Sequence, residues 1–277
     1  MTRGTELTTR EEIAAHVGNL VRSEVNRDSD FDLESWIQQR IRLRSGERVL
    51  DIGCGNGKQL VVFSDLVGAG GQVIGADIFG RVPGLLDAAK KKLEGKHNVS
   101  FRDHDASLPF SEPDGAFNCV TSCYSFYYVR DIRATLTEVR RLLCEDGRFF
   151  VVGPSWDNSR ELYDLNHEIT GRDLPEDFRY KLWRINEEVV PLAYELFDRV
   201  EISPWVNRVH FRGEAGIQRA TDYYRSSLLF EEDSADPKER ERFLAEFRKR
   251  VTAHIGQHGV YHMVKRALGI TMYKARP

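Results

Sequence analysis

Apolar residues recur along this chain in two rhythms. Short continuous runs, Val49-Leu50-Asp51-Ile52, Val73-Ile74-Gly75-Ala76, Cys119-Val120-Thr121-Ser122 and Arg148 to Val152, have the length and composition of strands buried on both faces. Between and around them the spacing becomes helical. Leu33, Trp36, Ile37 and Ile41 form one stripe, and Ile132, Leu136, Val139 and Leu143 form another in the segment Asp131 to Leu143, after which Asp146-Gly147 turns the chain. Strand runs alternating with amphipathic helices predict β-α-β units and a parallel sheet. Ahead of them, Thr9 and Glu12 make a capping-box pattern before Ile13, Val17, Leu20 and Val21, and a turn is expected over Asn26 to Asp30.

Later, Asn158 or Ser159 is placed to cap a helix carrying Leu162, Leu165 and Ile169 and ended by Gly171, with an insertion running to about Ile185. Arg199 to Ile202 reads as a strand, and Tyr261 to Ala275, with Val264, Leu268 and Met272, as the closing one. The intervening segment is far longer than an ordinary connection. It reads as helical, with one stripe of Ile217, Ala220, Tyr224 and Leu228 and a second of Phe243, Leu244, Phe247 and Val251 opened by Asp236-Pro237.

Candidate chemistry begins where the first strand ends. Asp51-Ile52-Gly53-Cys54-Gly55-Asn56-Gly57 sets three glycines two apart behind an acid, the makings of a loop whose backbone turns under a ligand. A dinucleotide fingerprint would need its third glycine at position 58, where the chain has Lys58. Asp51 suits either a backbone clamp or a contact to a ligand's ammonium group. Asp77 ends the next run, where a carboxylate can accept both hydroxyls of a ribose. There follow Val99 to Ala106, containing Asp105-Ala106, then Leu108-Pro109-Phe110 and Phe117-Asn118.

In combination, D-x-G-x-G-x-G, the acid Asp77 and the D-A-x-x-L-P-F passage resemble the class I S-adenosylmethionine-dependent methyltransferases over roughly residues 46–155. The resemblance implies a Rossmann-like, doubly wound α/β fold of seven strands, mostly parallel with an antiparallel last strand, plus helical lid insertions. It implies an N-terminal helical cap over 1–45, a cofactor-binding core over 46–155, and a remainder over 156–277 with insertions near 156–185 and 212–258. The expected cofactor is S-adenosylmethionine, with S-adenosylhomocysteine as product and no metal. Its binding residues would be Asp51, Gly53, Gly55, Gly57, Asp77, Ile78, Asp105, Ala106 and Ser122, with Asp105 accepting from the adenine amino group, the Ala106 backbone beside the ring, and the strand ending at Ser122 under the methionine portion. Asn118 departs from the family's usual aspartate and reads as a changed structural hydrogen bond.

An acceptor would lie outside the carboxyl ends of the strands, so Tyr124, Phe126, Tyr127, Tyr128 and Trp156 are candidates for lining it. Tyr124 follows the strand end most closely. His167 is the candidate base, with polar helix surface as the plainer reading, and His16 could close the cleft. His254, His258 and His262 recur every four residues, but Gly256 and Gly259 should interrupt their helix, so no metal site is expected. Ser122-Cys123-Tyr124-Ser125 stands where amino-methylating nucleic-acid enzymes carry an Asn/Asp-Pro-Pro-Tyr tetrad.

Bulk composition narrows the classes further. A formal charge of −3 over 277 residues gives no general attraction to a polyanion, and Lys90-Lys91-Lys92 reads as a solvated helix end. Cys54, Cys119, Cys123 and Cys144 form no C-x-x-C pair and read as reduced thiols. No membrane-length apolar run and no signal-like N-terminus is seen, so a cytoplasmic location is expected. The leading expectation is an enzyme methylating an O, N or C atom of a small molecule, without nucleic-acid or membrane partners; a macromolecular acceptor or a non-catalytic cofactor-binding scaffold are the alternatives. Acceptor identity and oligomeric state are open.

Overall fold

The computed structural model describes residues 29–30, 32–227 and 236–275. The capping box at Thr9, the apolar stripe from Ile13 to Val21, His16 and Leu228 lie outside them. Seven strands, β1 (Arg48–Ile52), β2 (Gln72–Asp77), β3 (Val99–Asp103), β4 (Phe117–Cys123), β5 (Leu143–Pro154), β6 (Arg199–Phe211) and β7 (Tyr261–Tyr273), form one sheet in the order β3-β2-β1-β4-β5-β7-β6. The pairs β1–β2, β2–β3, β1–β4 and β4–β5 are parallel, and β7 runs antiparallel to β5 from Arg148 opposite Tyr273 to Pro154 opposite Ala267. The chain winds outward from β1 to β3 and then crosses to β4, so the winding reverses between β1 and β4. Ligands of open parallel sheets bind at such a reversal, outside the carboxyl ends of the strands.

Two compact units share the chain. One comprises Leu33–Ser155, Lys181–Pro204 and Ala267–Pro277; the other includes Trp156–Tyr180 and Trp205–Arg266. In the first, Leu50, Ile74, Phe117, Val120, Leu136, Val139, Phe149 and Val151 build a continuous core. Burial of each such side chain contributes roughly 1.5–3 kcal/mol relative to exposure. The helix Ile132–Leu142 starts at Asp131, whose carboxylate accepts from Ala134 N at 2.9 Å. Ahead of β1, the helix Leu33–Ile41 is stapled by Arg148: its guanidinium grips Glu47 with two 2.9 Å bonds and donates to the Ile41 and Arg42 carbonyls. Asn118 accepts from Arg48 N at 2.9 Å, the structural bond its sequence position suggested.

The second unit is mainly helical. Helix Gly213–Arg225 packs on helix Pro237–His258 through Ile217, Ala220, Tyr224, Phe243, Phe247 and Val251, with Tyr224 stacked on Phe247 at 4.3 Å. Gly256 does not interrupt the longer helix, contrary to expectation. A helical glycine costs only about 1 kcal/mol, and burial of Val251 and Ile255 on the inner face outweighs it. Gly259 (φ 77°) ends the helix instead. Thus His254 and His258 share a helix face, whereas His262 lies on β7 with its Nδ1 2.9 Å from that of His210. The helix Arg160–Thr170 ends at Gly171 and starts after Ser159 as expected, yet the Ser159 side chain makes no capping bond. Ser159 sits in a left-handed conformation and accepts from Lys265, and the Asn158 side-chain Oδ1 accepts from Arg266 N.

One stretch was not foreseen as helical. Glu176–Arg184 is a helix that runs on through a π turn at Ile185–Val189 into helix Val190–Leu196. The wider π turn precedes Pro191, which cannot donate to the preceding turn. No helix of the described residues is long and apolar enough to cross a membrane.

Candidate functional site

The site grows from the carboxyl ends of β1, β2 and β3 and the turn after β4, all within the first unit. Gly53, Gly55 and Gly57 have φ of 72°, 54° and 75°, a succession that side-chain-bearing residues rarely adopt. Gly53 N and Cys54 N donate to the Ala76 carbonyl at 2.7 and 3.2 Å, binding the loop to the end of β2. The glycines are not equivalent. A Cβ on Gly53 would come within 2.3 Å of the Ser125 side chain, whereas one on Gly55 would meet nothing within 4 Å. Gly55 therefore borders open space.

Asp77 stands at the end of β2, directly opposite Asp103 in the register with β3. Its Oδ2 accepts from Gly55 N at 2.7 Å and its Oδ1 from Ile78 N at 2.8 Å. Each oxygen keeps a second acceptor site for a ligand hydroxyl. Burial raises its pKa above the usual aspartate value, and the two backbone donors only partly counter that.

Asp51 is buried on β1 and accepts from the Thr121 hydroxyl at 2.7 Å. Burial, against the pull of Thr121 and with repulsion from Asp77, pushes its pKa up to about 7. Asp105 is treated in the opposite way. Burial raises its pKa, but the Ser107 backbone and hydroxyl bonds, with Arg130 and Arg81, more than offset it and hold the carboxyl below the ordinary range. Arg81 and Arg130 place Nη2 atoms 3.4 and 3.8 Å from its Oδ2. The neighbouring Ala106 is partly buried against the core, and its carbonyl accepts from Thr135 Oγ1 at 3.3 Å. Cys54, inside the loop, is buried, and burial raises its thiol well above the usual value. All four cysteines are free.

Several expected site residues have other surroundings. Phe126 is fully buried with its ring 5.2 Å from Phe149, and Tyr127 is nearly so, because the 3-10 turn Phe126–Tyr128 directs both into the core. Ser122 is also fully buried; its hydroxyl engages the Ile52 carbonyl and Ser125, so it supports the loop from beneath. Tyr124 is partly buried and carries φ 58°, one of three positive-φ side-chain-bearing residues among those described. Tyr128 and Trp156 are exposed, the latter in the helical unit. His167, also in that unit, is exposed, with its Nδ1 3.0 Å from the Arg172 carbonyl, and closes the end of its own helix. That placement is the polar helix surface. Ser125, Arg81, Arg130 and the Lys92 to Asn56 bond at 2.9 Å had no signal in the local motifs, since each depends on long-range pairing.

The glycine loop, with open space at Gly55 and carboxylates at successive strand ends, fits an adenosyl ligand: acceptors for ribose hydroxyls at Asp77 and an acceptor for an amino group at Asp105. A family model described as a methyltransferase domain matches residues 49–147. This core is a class I S-adenosylmethionine-dependent methyltransferase domain. Aklanonic acid methyltransferase DauC of Streptomyces sp. (strain C5) is 36% identical over 112 residues, 40% of this chain and 49% of DauC. The ubiquinone/menaquinone biosynthesis C-methyltransferase UbiE of Marinomonas sp. (strain MWYL1) is 36% identical over 137 residues, 48% of this chain and 53% of UbiE. The chain thus matches about half the length of these curated relatives. The crystal structure of YcgJ from Bacillus subtilis shares the fold with a TM-score of 0.56 at 18% identity, covering 88% of this chain and 98% of YcgJ. Among the described residues no group of three His, Cys, Asp or Glu side chains could hold a metal ion.

Proposed function

We propose that the protein transfers a methyl group from S-adenosylmethionine to an O, N or C atom of a small-molecule acceptor, without a metal ion. The observation that carries this reading is the Asp77 carboxylate, held to the glycine loop through Gly55 N and Ile78 N with acceptor capacity to spare. Asp77 would take the ribose hydroxyls. Asp105 and the Ala106 backbone would take the adenine, Ile78 would flank it, and Asp51 would face the ammonium end. Small-molecule chemistry is supported by the two relatives, one named for aklanonic acid and the other for ubiquinone and menaquinone biosynthesis.

When bound, S-adenosylmethionine supplies a methyl group on a positively charged sulfur. The chain's own contribution is then to hold both reactants and exclude water, since a correctly oriented pair gains most of the available acceleration from proximity. Tyr124, at the end of β4, is the residue for this task, because an aromatic face attracts a cation. With His167 engaged at a helix end, no side chain is assigned as a base. Titration calorimetry with S-adenosylhomocysteine in a chelator-containing buffer tests the cofactor half. No heat at millimolar ligand, or binding lost with the chelator, would overturn it. Methyl transfer from labelled cofactor to a panel of phenolic, amine and quinol acceptors tests the rest, and labelling of protein or nucleic acid alone would move the acceptor to a macromolecule.

A further inference from the structure

The turn after β4 is tied to the end of β1 by an arrangement the glycine motif does not require. The paired ladder of the two strands ends with Asp51 opposite Thr121. Just beyond it, the Ile52 carbonyl lies 2.9 Å from Ser122 Oγ and 2.7 Å from Ser125 Oγ, and the two hydroxyls are 2.6 Å apart. Three oxygens here share two hydroxyl protons. One hydroxyl donates to the carbonyl and the other completes the cluster, so the bonds polarise one another in a buried setting.

Two further features make this cluster a clasp between loops. Ser125 occupies the space where a Cβ on Gly53 would lie, so the serine side chain rests directly on the first glycine of the loop. Tyr124, between the two serines, is held at φ 58°, a conformation that costs a side-chain-bearing residue on the order of 1–2 kcal/mol. On its other side, Tyr124 N donates to the Val152 carbonyl at 2.8 Å, continuing the β4–β5 ladder. The backbone of Tyr124 is therefore pinned toward β1 and toward β5 at once. Strain retained in this way at a strand end that borders a ligand loop marks a functional constraint.

We propose that Ser122 and Ser125 are positioning residues whose hydroxyl clasp holds Tyr124 and the glycine loop at the separation required by the non-adenosine end of the cofactor. The inference rests on the cofactor reading above. Its direction follows from strand order: the acids assigned to the adenosine moiety stand at β2 and just after β3, on one side of β1, whereas the clasp joins β1 to β4 on the other. Loosening the clasp should disturb the amino-acid end of the ligand and leave the nucleoside end in place.

Calorimetry with S-adenosylhomocysteine and with 5′-methylthioadenosine, which lacks the amino-acid end, reads the effect directly. Ser125→Ala should weaken S-adenosylhomocysteine about fivefold or more, as expected for one hydrogen bond's loss, and change 5′-methylthioadenosine by less than about twofold. Ser122→Ala should do the same, and the double variant should be little worse than either single one, because one cluster is lost in each case. Ser64→Ala is the control. It removes another buried hydroxyl, 2.6 Å from Asn98 Oδ1 on the helix Lys58–Val67, and should lower the melting temperature comparably with unchanged affinity for both ligands. If Ser125→Ala does not fold, Ser122→Ala carries the comparison. Equal weakening of both ligands, or unchanged S-adenosylhomocysteine affinity in a folded variant, would overturn the clasp alone. Wild-type protein that binds neither ligand would overturn the cofactor reading and the clasp with it.

Discussion

Adding one methyl group at Gly53 or at Gly55 should have opposite consequences, although the two glycines lie two residues apart in one loop. Both have left-handed φ, 72° and 54°, so alanine at either costs on the order of 1–2 kcal/mol in the folded state. Reduced freedom of the unfolded chain returns roughly 0.4–1 kcal/mol. At Gly55 nothing else is in the way, and the net loss of stability should stay near about 1 kcal/mol, a fall in melting temperature of roughly 2–4 °C for a chain of this class. At Gly53 the new Cβ would lie 2.3 Å from Ser125 Cβ and Oγ, and that side chain cannot swing away without giving up its bonds to Ile52 and Ser122. Overpacking of this kind adds about 1–3 kcal/mol, for a total near 2–4 kcal/mol.

Ligand binding should follow the reverse order for its cause. The methyl at Gly55 projects into open space, and if that space receives the cofactor the affinity for S-adenosylhomocysteine should fall at least about tenfold while the protein remains folded. Differential scanning fluorimetry with and without ligand separates the two effects in one experiment. Gly55→Ala should melt close to wild type yet show little ligand-induced shift. Gly53→Ala should already melt well below wild type without ligand. A Gly55→Ala protein with affinity within twofold of wild type would refute the placement of the ligand against this loop, and a Gly53→Ala protein as stable as Gly55→Ala would refute the packing argument.

Asp77→Asn removes the charge while preserving one oxygen for a backbone donor, and should weaken S-adenosylhomocysteine by roughly 10–100-fold in calorimetry, the value of hydrogen bonds to a charged acceptor. Glu47→Ala leaves the Arg148 guanidinium buried without its carboxylate and should cost about 3–5 kcal/mol in urea unfolding. Burial raises the Glu47 pKa, but Arg148 and Arg44 more than reverse this, so its folded value is depressed; its contribution is complete above the usual glutamate value and is lost as pH falls through the folded one, so wild type should lose stability toward pH 3 more steeply than Glu47→Gln. Asp51 has the opposite sign. Its folded pKa is raised by burial to about 7, so stability should decline as pH rises from the ordinary aspartate range toward 7, Asp51→Asn should flatten that slope, and a carboxyl carbon titrating near 4 in the native protein would contradict the assignment.

The strands that carry the site were legible because parallel strands buried on both faces read as short apolar runs, and each ends in a residue that a buried strand would not otherwise contain. Asp51, Asp77 and Gly53 to Gly57 announce themselves in this way. The placements that local sequence does not show share a physical origin. Phe126 and Tyr127 stand next to the strand end in sequence, but a single 3-10 turn sends both rings into the core and leaves Tyr128 outside. Pro191 and the charged run Glu187-Glu188 conceal a helix that a π turn allows to continue. Gly256 looks like a breaker until the burial of its neighbours is counted. Most obscure was the pairing of Ser122 with Ser125, small residues whose hydroxyls meet at a carbonyl some seventy positions away.

The three acids of the site also differ in a way that bears on what the loop will hold. Burial and then the Asp77 charge raise the cost of ionising Asp51, and burial and then Asp103 raise that of Asp77, whereas Asp105 has two arginines to balance it. A neutral nucleoside entering this site satisfies acceptors at Asp77 but does nothing for the charge shared with Asp51. A ligand that also carries an ammonium or sulfonium group offsets that repulsion, lowers the Asp51 pKa and releases a proton where Asp51 was protonated before binding. Binding of S-adenosylhomocysteine near pH 6 should therefore release protons, read as a dependence of calorimetric heat on the buffer's ionisation enthalpy, and 5′-methylthioadenosine should release fewer. Equal proton release by the two ligands would detach Asp51 from the ammonium end and leave it as the buried partner of Thr121 alone.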